Sequence, residues 1–246
     1  MAKKVFMMGK PEVFSGTAHL PTNIVFYGES APFFARTIAD YLKPAPYTLA
    51  DFGGAGGELC KNILALLPEH TFSVDVFDTD TKALARNSIA AHTYETDLAH
   101  VSAADKSYDL TIMRYVLQWN LLSEQRSIIS EIARVTKGIV IIQHCGPEEV
   151  SKDTWRAASE HMINETGIDK MKRRDYFYSS KAEVEGIFDE LGISHTCIQY
   201  RRIDNYADIF VERYALNDTE AAHIREAVGE HNYIMQMAWV LNCRTS

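Results

Sequence analysis

The chemistry legible in this chain starts at residues 50–57, Ala-Asp-Phe-Gly-Gly-Ala-Gly-Gly. A short apolar stretch (Thr48, Leu49, Ala50) runs into an acid, Asp51; a loop of small residues follows, and an apolar helix begins near Glu58. Side chains this small let backbone N–H groups come close to a ligand. In open α/β sheets ligands sit outside the carboxyl ends of the strands, where this loop would lie. The dinucleotide pattern G-x-G-x-x-G fits poorly, because the small residues fall at Gly53, Ala55 and Gly57, with Gly54 between the first two. A second acid, Asp78, ends the next apolar stretch, 78 − 57 = 21 residues beyond Gly57. At that distance a carboxylate can accept hydrogen bonds from both hydroxyls of a ribose.

The elements that must hold these residues alternate. Apolar segments at 47–52, 72–77, 92–95, 108–113 and 139–143 read as strands. Between them, 57–67, 81–91 (with Asp80 as its cap) and 123–136 read as amphipathic helices. Fully apolar short strands alternating with helices imply a parallel sheet covered on both faces. Residues 30–42 form a helix ahead of it, with Ser30 as N-cap and Pro44 and Pro46 as its stop. After residue 147 the rhythm changes. Residues 148–176 are polar and helix-prone, 180–191 is a helix, 194–202 a strand, and 207–230 helical with Asn217 and Glu220 spaced as a capping box. Tyr233–Asn242 reads as a final strand, although Met235, Trp239 and Cys243 would also share a helical face.

The expected fold is therefore α/β: a doubly wound, mostly parallel seven-stranded sheet with helical N-terminal and lid insertions. Four stretches follow: a helical cap at 1–44, a core at 45–146, a helical lid at 147–178, and a completion of the core at 179–246 that carries a helical insertion at 207–231.

Composition narrows the function. The chain has 246 residues, 46% of them apolar and 24% charged, as a globular protein with a sizeable core requires. A net charge of −8 argues against a broad nucleic-acid footprint. No window approaches the 18 or so apolar residues of a membrane span. Cys60, Cys145, Cys197 and Cys243 are scattered without a C-x-x-C pair, which suggests no zinc site, no disulfide framework and a cytoplasmic setting.

Acid-x-Gly-x-Ala-x-Gly at Asp51–Gly57 resembles the first motif of the class I (Rossmann-like) S-adenosylmethionine-dependent methyltransferases. Asp78-Thr79-Asp80 resembles the second motif of that family, Asp97-Leu98 the third, and Ser107–Met113, with Asp109, the fourth-strand motif. Glu131–Lys137 resembles the stretch before the fifth strand, but a single Gly138 stands where the family commonly has Pro-Gly-Gly. The resemblance covers 47–143 and implies S-adenosylmethionine as cofactor. Asp51, Gly53, Gly54, Ala55, Gly57, Asp78 and Thr79 would line its site. The Asp97 carboxylate would meet the adenine amino group, and the Leu98 N–H a ring nitrogen. Tyr27 matches a position that often covers the cofactor. A cofactor bearing a sulfonium and an ammonium suits a pocket with acids at 51, 78 and 97, whereas a pyrophosphate would be repelled by Asp51.

On the acceptor side, the ends of the fourth and fifth strands offer Arg114, Tyr115, Gln118, Trp119 and His144. His144 is the candidate general base, since a strand-end imidazole can take a proton near neutral pH. The same histidine could instead only hydrogen-bond the lid or the substrate. Arg114 could hold the cofactor carboxylate or an acidic substrate, or pair with Asp51 or Asp97. Tyr115 and Trp119, with Tyr176 and Tyr178 of the lid, could wall a small-molecule acceptor or simply pack. The basic run Lys170–Arg174 reads more readily as a solvated face than as an anion site. The expected function is methyl transfer to O, N or C of a small molecule, with no nucleic-acid or membrane partner. The Phe-rich N-terminal segment could pack against a second subunit to give a homodimer. The competing readings are a non-catalytic S-adenosylmethionine-binding subunit and an NAD-type dehydrogenase.

Overall fold

The computed structural model describes residues 28–171 and 176–243. Helix α1 (Ser30–Tyr41) precedes strand β1 (Pro46–Phe52), α2 (Glu58–Leu66), β2 (Thr71–Asp78), the short α3 (Thr81–Leu84), β3 (His92–Glu95) and β4 (Tyr108–Arg114). Helix α4 (Leu122–Val135) runs directly into β5 (Thr136–Gly146). The rest comprises α5 (Lys152–Glu160), α6 (Lys181–Glu190), β6 (Ser194–Asp204), α7 (Tyr206–Tyr214), α8 (Asp218–Val228) and β7 (Tyr233–Asn242). The seven strands form one sheet in the order β3-β2-β1-β4-β5-β7-β6. All neighbours are parallel except β7, which runs antiparallel to both β5 and β6. The expected sheet is thus the observed one, and it places the carboxyl ends of β1, β2, β3 and β4 along one edge.

Two apolar cores cover the two faces. On one, Leu49, Val74, Val76, Leu110, Ile112 and Ile141 pack against Phe34 and Ile38 of α1 and Ile63 of α2. On the other, Phe52, Phe77, Met113, Ile142 and Trp239 pack against Ile128 and Ile132 of α4, Phe188 of α6, and the helices after residue 150. Strand β7 is buried from Tyr233 to Leu241 because it lies between two strands and under both layers. That double burial removes the alternation of apolar and polar residues that normally marks a strand, which is why its sequence also fits a helix.

The local expectations need several corrections. Ser30 does not cap α1; the N-cap is Glu29, and the Ser30 hydroxyl instead donates to Gln143 Oε1 on β5 (2.7 Å). The helix expected over 81–91 stops after Leu84, and the Asn87 side-chain oxygen Oδ1 soon accepts from the N–H groups of Ile89 and Ala90, a local alternative to the helix ladder. Helical content in 148–176 is split among α5, a π-helical turn at His161–Glu165 and a 3₁₀ turn at Asp169–Met171. The single helix expected over 207–230 is two helices, broken where Ala215 adopts φ +47° and Asn217 caps α8 through the N–H groups of Thr219 and Glu220. Asp80 does cap α3, accepting from Lys82 and Ala83.

Gly138 is not in a turn before the fifth strand but inside it. Between the pairs Tyr108↔Thr136 and Leu110↔Ile139, β5 carries one more residue than β4, a β-bulge. A methyl group on Gly138 would overlap the Asp109 carbonyl, and a backbone atom fixed in a sheet cannot yield. Gly138→Ala should therefore destabilise by about 1–3 kcal/mol, as overpacking does. Gly186→Ala, in open space on α6, should stabilise by about 0.5–1 kcal/mol through helix propensity. Urea unfolding of the two variants checks this; similar midpoints for both would refute the bulge argument.

Candidate functional site

The loop after β1 is built by backbone conformations that few side chains allow. Gly53 and Gly57 have φ of +76° and +81°, and Ala55 one of +47°. The Gly53 N–H is held by the Phe77 carbonyl (2.7 Å) and the Gly57 N–H by that of Gly54 (2.8 Å), so the turn is tied to β2 and to itself before α2 begins. A methyl on Gly54 would overlap the Asp51 carboxylate. The side of the turn next to Asp51 is thus open to backbone and small atoms only.

Asp51 and Asp78 are both buried at neighbouring strand ends. Asp51 accepts from the Cys60 thiol (Sγ–Oδ2 3.2 Å) on the first turn of α2. Asp78 Oδ2 accepts from the Ala55 N–H and Oδ1 from the Asp80 N–H, each at 2.8 Å. Burial raises both carboxyls to about 6. The Cys60 thiol and the Arg114 guanidinium pull Asp51 part of the way back, and the neighbouring Asp78 pushes it up. The backbone donors of Asp80, Ala55 and Thr79 do the same opposing work at Asp78. Asp97 is more open, its side chain 42% exposed; Oδ1 accepts from the Ala99 N–H (2.9 Å), and Leu98 beside it is fully buried. The structure therefore brings Asp51, Gly53, Gly54, Ala55, Gly57, Asp78 and Arg114 to one sheet edge, with Thr79, Asp97 and Leu98 following the next two strand ends. Tyr27 lies outside the described residues, as does most of Lys170–Arg174. An open cleft of about 660 Å³ flanks the Asp97 loop, lined by Glu95, Thr96, His100, Ser102 and Glu131 among others, but none of the glycine-loop residues borders it.

The acceptor-side residues are less accessible than expected. Tyr115 sits at φ +54°, a strained position for a bulky residue. Its N–H is held by the Gln143 carbonyl (2.8 Å), its carbonyl by Gln118 Nε2 (2.7 Å) and its hydroxyl by Gln236 Nε2. Trp119 packs edge-on against Tyr178 (6.2 Å), and Tyr178 against Trp155, Tyr176 and Tyr206. Asn164 donates to the Tyr176 hydroxyl (3.3 Å). His144 is fully buried, its ring 6.5 Å from that of Trp239. Its Nε2–H donates to the Ser179 carbonyl (3.1 Å), and Nδ1 is enclosed without a hydrogen-bond partner among the described residues. Burial lowers its pKa to about 4. The structure does not present His144 at an open strand end as a general base would need: one ring nitrogen is hydrogen-bonded, the other is enclosed, and burial depresses its basicity. Cys60, Gln236 and Tyr206 are contacts that the sequence did not flag. Only Cys60 had a local signal, because a first-turn helical side chain points back toward the strand it follows.

Residues 50–142 match the family model of a methyltransferase domain. Among solved structures, the chain is similar to the YcgJ protein from Bacillus subtilis (13% identity over 89% of this chain and 100% of that one, TM-score 0.69). It is also similar to geranyl diphosphate C-methyltransferase from Streptomyces coelicolor, solved with Mg²⁺, geranyl diphosphate and S-adenosyl-L-homocysteine (9% identity, 86% and 78% covered, TM-score 0.56). The [4+2]-cyclase SpnF is a third such structure (14% identity, 87% and 81% covered, TM-score 0.58). A search of the curated proteins finds no match. Residues 50–142 thus match a methyltransferase domain, on a sheet with the class I S-adenosylmethionine-dependent methyltransferase fold, and S-adenosylmethionine is the cofactor of that fold. The residues present fit it. Two buried carboxylates lack full compensation for their charge, which a cationic ligand would supply, and Gly54 lets the turn close against Asp51, where any side chain would overlap the carboxylate.

The raised carboxyls fix the direction of a pH effect. Asp51 and Asp78 ionise near 6 in the fold, against 3.8 unfolded. The ligand-free protein therefore loses stability from these two groups as pH rises from about 4 through about 6. A bound cation favours the ionised forms, so binding near pH 6 should release protons and binding at about pH 8 should release almost none. Calorimetry of S-adenosylmethionine binding in two buffers of different ionisation enthalpy measures this. Equal proton release at both pH values would contradict the assignment.

Proposed function

We propose that the protein is an enzyme that transfers the methyl group of S-adenosylmethionine to O, N or C of a small-molecule acceptor in the cytoplasm. The observation that carries the reading is the glycine turn clasped between two buried carboxylates at one sheet edge. Asp78 would receive the ribose hydroxyls, Asp97 and the Leu98 N–H the adenine edge, and the backbone from Gly53 to Gly57 would lie against the amino-acid end, near Asp51 and Arg114. The sulfonium of the bound cofactor makes its methyl carbon electrophilic, so the chain's own task is to align an acceptor and exclude water.

Helix α5 and the turns after it cover the acceptor side of the sheet. Trp155 donates to the Tyr233 carbonyl, and Arg156 donates to the Tyr178 carbonyl (2.9 Å) and pairs with Glu183. An enclosing aromatic layer of Trp119, Tyr176 and Tyr178 with Tyr115 suits a small acceptor better than a flat macromolecular surface. The geranyl diphosphate C-methyltransferase shows that this fold can act on such a molecule. Hydrogen bonding by His144 to the Ser179 carbonyl supports a role in packing the strand end against α6, with proton removal left to solvent or to the acceptor itself.

One observation favours a non-catalytic cofactor-binding subunit: the acceptor-side rings are buried and packed on one another. Formation of S-adenosylhomocysteine with a panel of small amines, acids, phenols and prenyl compounds decides between the two. Turnover with any of them supports the enzyme, and binding without turnover across the panel supports the subunit. Once an acceptor is found, His144→Gln should leave kcat/KM within about threefold of wild type, because a general base would contribute about 10²–10⁴. Asp78→Asn should weaken cofactor binding by about tenfold or more, the scale of a lost charge-assisted hydrogen bond. A His144→Gln loss above a hundredfold in a folded protein would restore that residue to the chemistry.

A further inference from the structure

Among the described residues, Asp51 is held by a side-chain donor, unlike the other two cofactor-side acids, which accept from backbone N–H groups. Asp78 is held by the N–H groups of Ala55 and Asp80, and Asp97 by that of Ala99. Asp51 Oδ2 instead receives the Cys60 thiol at 3.2 Å, from a helix that begins at Glu58, directly after the glycine turn. Both side chains are buried, and Cys60 belongs to the apolar core formed with Leu49, Ile63 and Val76. The Gly54 backbone closes over the same oxygen, so that a methyl there would overlap it.

From this geometry we propose that Cys60 is a positioning residue for cofactor binding: its thiol holds the Asp51 carboxylate in place and in its anionic form for the cationic cofactor. The inference rests on the cofactor reading above and adds a residue to it. Among the described residues, the charged and titratable groups that face Asp51 are few. They are the Cys60 thiol from α2, the Arg114 guanidinium from the end of β4 and the Asp78 carboxylate from the end of β2. The thiol and the guanidinium favour the anion, while burial and Asp78 oppose it. The thiol itself stays protonated, because burial and the adjacent carboxylate both push its pKa up. It therefore acts as a donor, and no proton leaves it. Removing the donor should raise the pH at which Asp51 becomes anionic, and cofactor affinity should follow.

The test measures dissociation constants for S-adenosylmethionine on the full chain between about pH 5.5 and 8.5, for wild type, Cys60→Ser and Cys60→Ala. Cys197→Ala serves as a remote control, since that thiol donates to the Gln199 carbonyl. Thermal melts at each pH report folding. The expectation for Cys60→Ala is affinity lowered about tenfold near pH 6.5, recovery to within about threefold of wild type at pH 8.5, and a midpoint moved up by about one and a half pH units. A serine hydroxyl can donate as the thiol does, so Cys60→Ser should overlay wild type within about threefold throughout. A Cys60→Ala curve that overlays wild type overturns the proposal. So does a loss of equal size at every pH, which marks a packing defect, or a failure of serine to rescue. If wild type itself binds neither S-adenosylmethionine nor S-adenosylhomocysteine, the cofactor reading falls and takes this inference with it.

Discussion

Taking a carboxylate out of water costs several kcal/mol unless donors and cations replace the lost hydration, and the strand ends of this sheet hold two of them. Asp51 and Asp78 sit on adjacent parallel strands whose register pairs Phe52 with Phe77. Their separation is therefore set by the spacing of the strands. The compensation comes from what the sheet presents nearby: the Ala55 and Asp80 N–H groups, the Cys60 thiol and the Arg114 charge. It is incomplete, since both acids are left titrating near 6. An uncompensated pair of this kind lowers the stability of the empty protein and is relieved by a ligand that carries positive charge. The same electrostatics reject a ligand that brings a pyrophosphate to this turn, which separates the site from that of a dinucleotide enzyme on a similar sheet.

The legible part of this molecule was the part whose structure is local. The glycine turn, the acids at strand ends and the alternation of strands with helices all follow from residues within about ten positions of one another, where backbone preference and periodicity act. Asp109 is a fair example. It stands at its expected place, and its carboxylate accepts from the N–H and hydroxyl of Thr48, which joins β4 to β1. Where tertiary contacts decide, the sequence misled. Ser30 has the chemistry of a cap but spends its hydroxyl on Gln143, 113 residues away. Gly138 stands where the family has a turn, but the bulge with Asp109 makes it part of a strand. Tyr233–Asn242 carries no strand period because it is buried on both sides.

His144 shows the same limit at the site. A histidine at a strand end is chemically able to act as a base, and nothing within its own segment says otherwise. Its environment is set by Ser179, 35 residues further on, and by Trp239 on β7. Those contacts take one ring nitrogen and enclose the other, and burial lowers the pKa to about 4 against the pull of the Ser179 hydrogen bond. The helical segments after residue 150 act likewise on the aromatic residues. Tyr178 was expected beside an acceptor, and its ring is indeed next to Trp119, but also next to Trp155, Tyr176 and Tyr206. Burial of this kind depends on which helices happen to cover the sheet.

The two halves of the site are thus built by different means, and this bears on how the fold changes function. The proposed cofactor half needs a turn with positive φ values and a strand-end acid on each side, supplied within residues 51–98, with Arg114 at the end of β4 beside Asp51. The acceptor half is assembled from the ends of β4 and β5, the segment around Tyr176–Ser179, and β7, whose contacts span more than a hundred residues, as between Tyr115 and Gln236. Substitutions in the covering helices can reshape the second half without disturbing the first. On the proposed reading, the choice of acceptor would lie in the packing of Trp119, Tyr176, Tyr178 and Tyr206, because the glycine turn and its acids would specify only the cofactor.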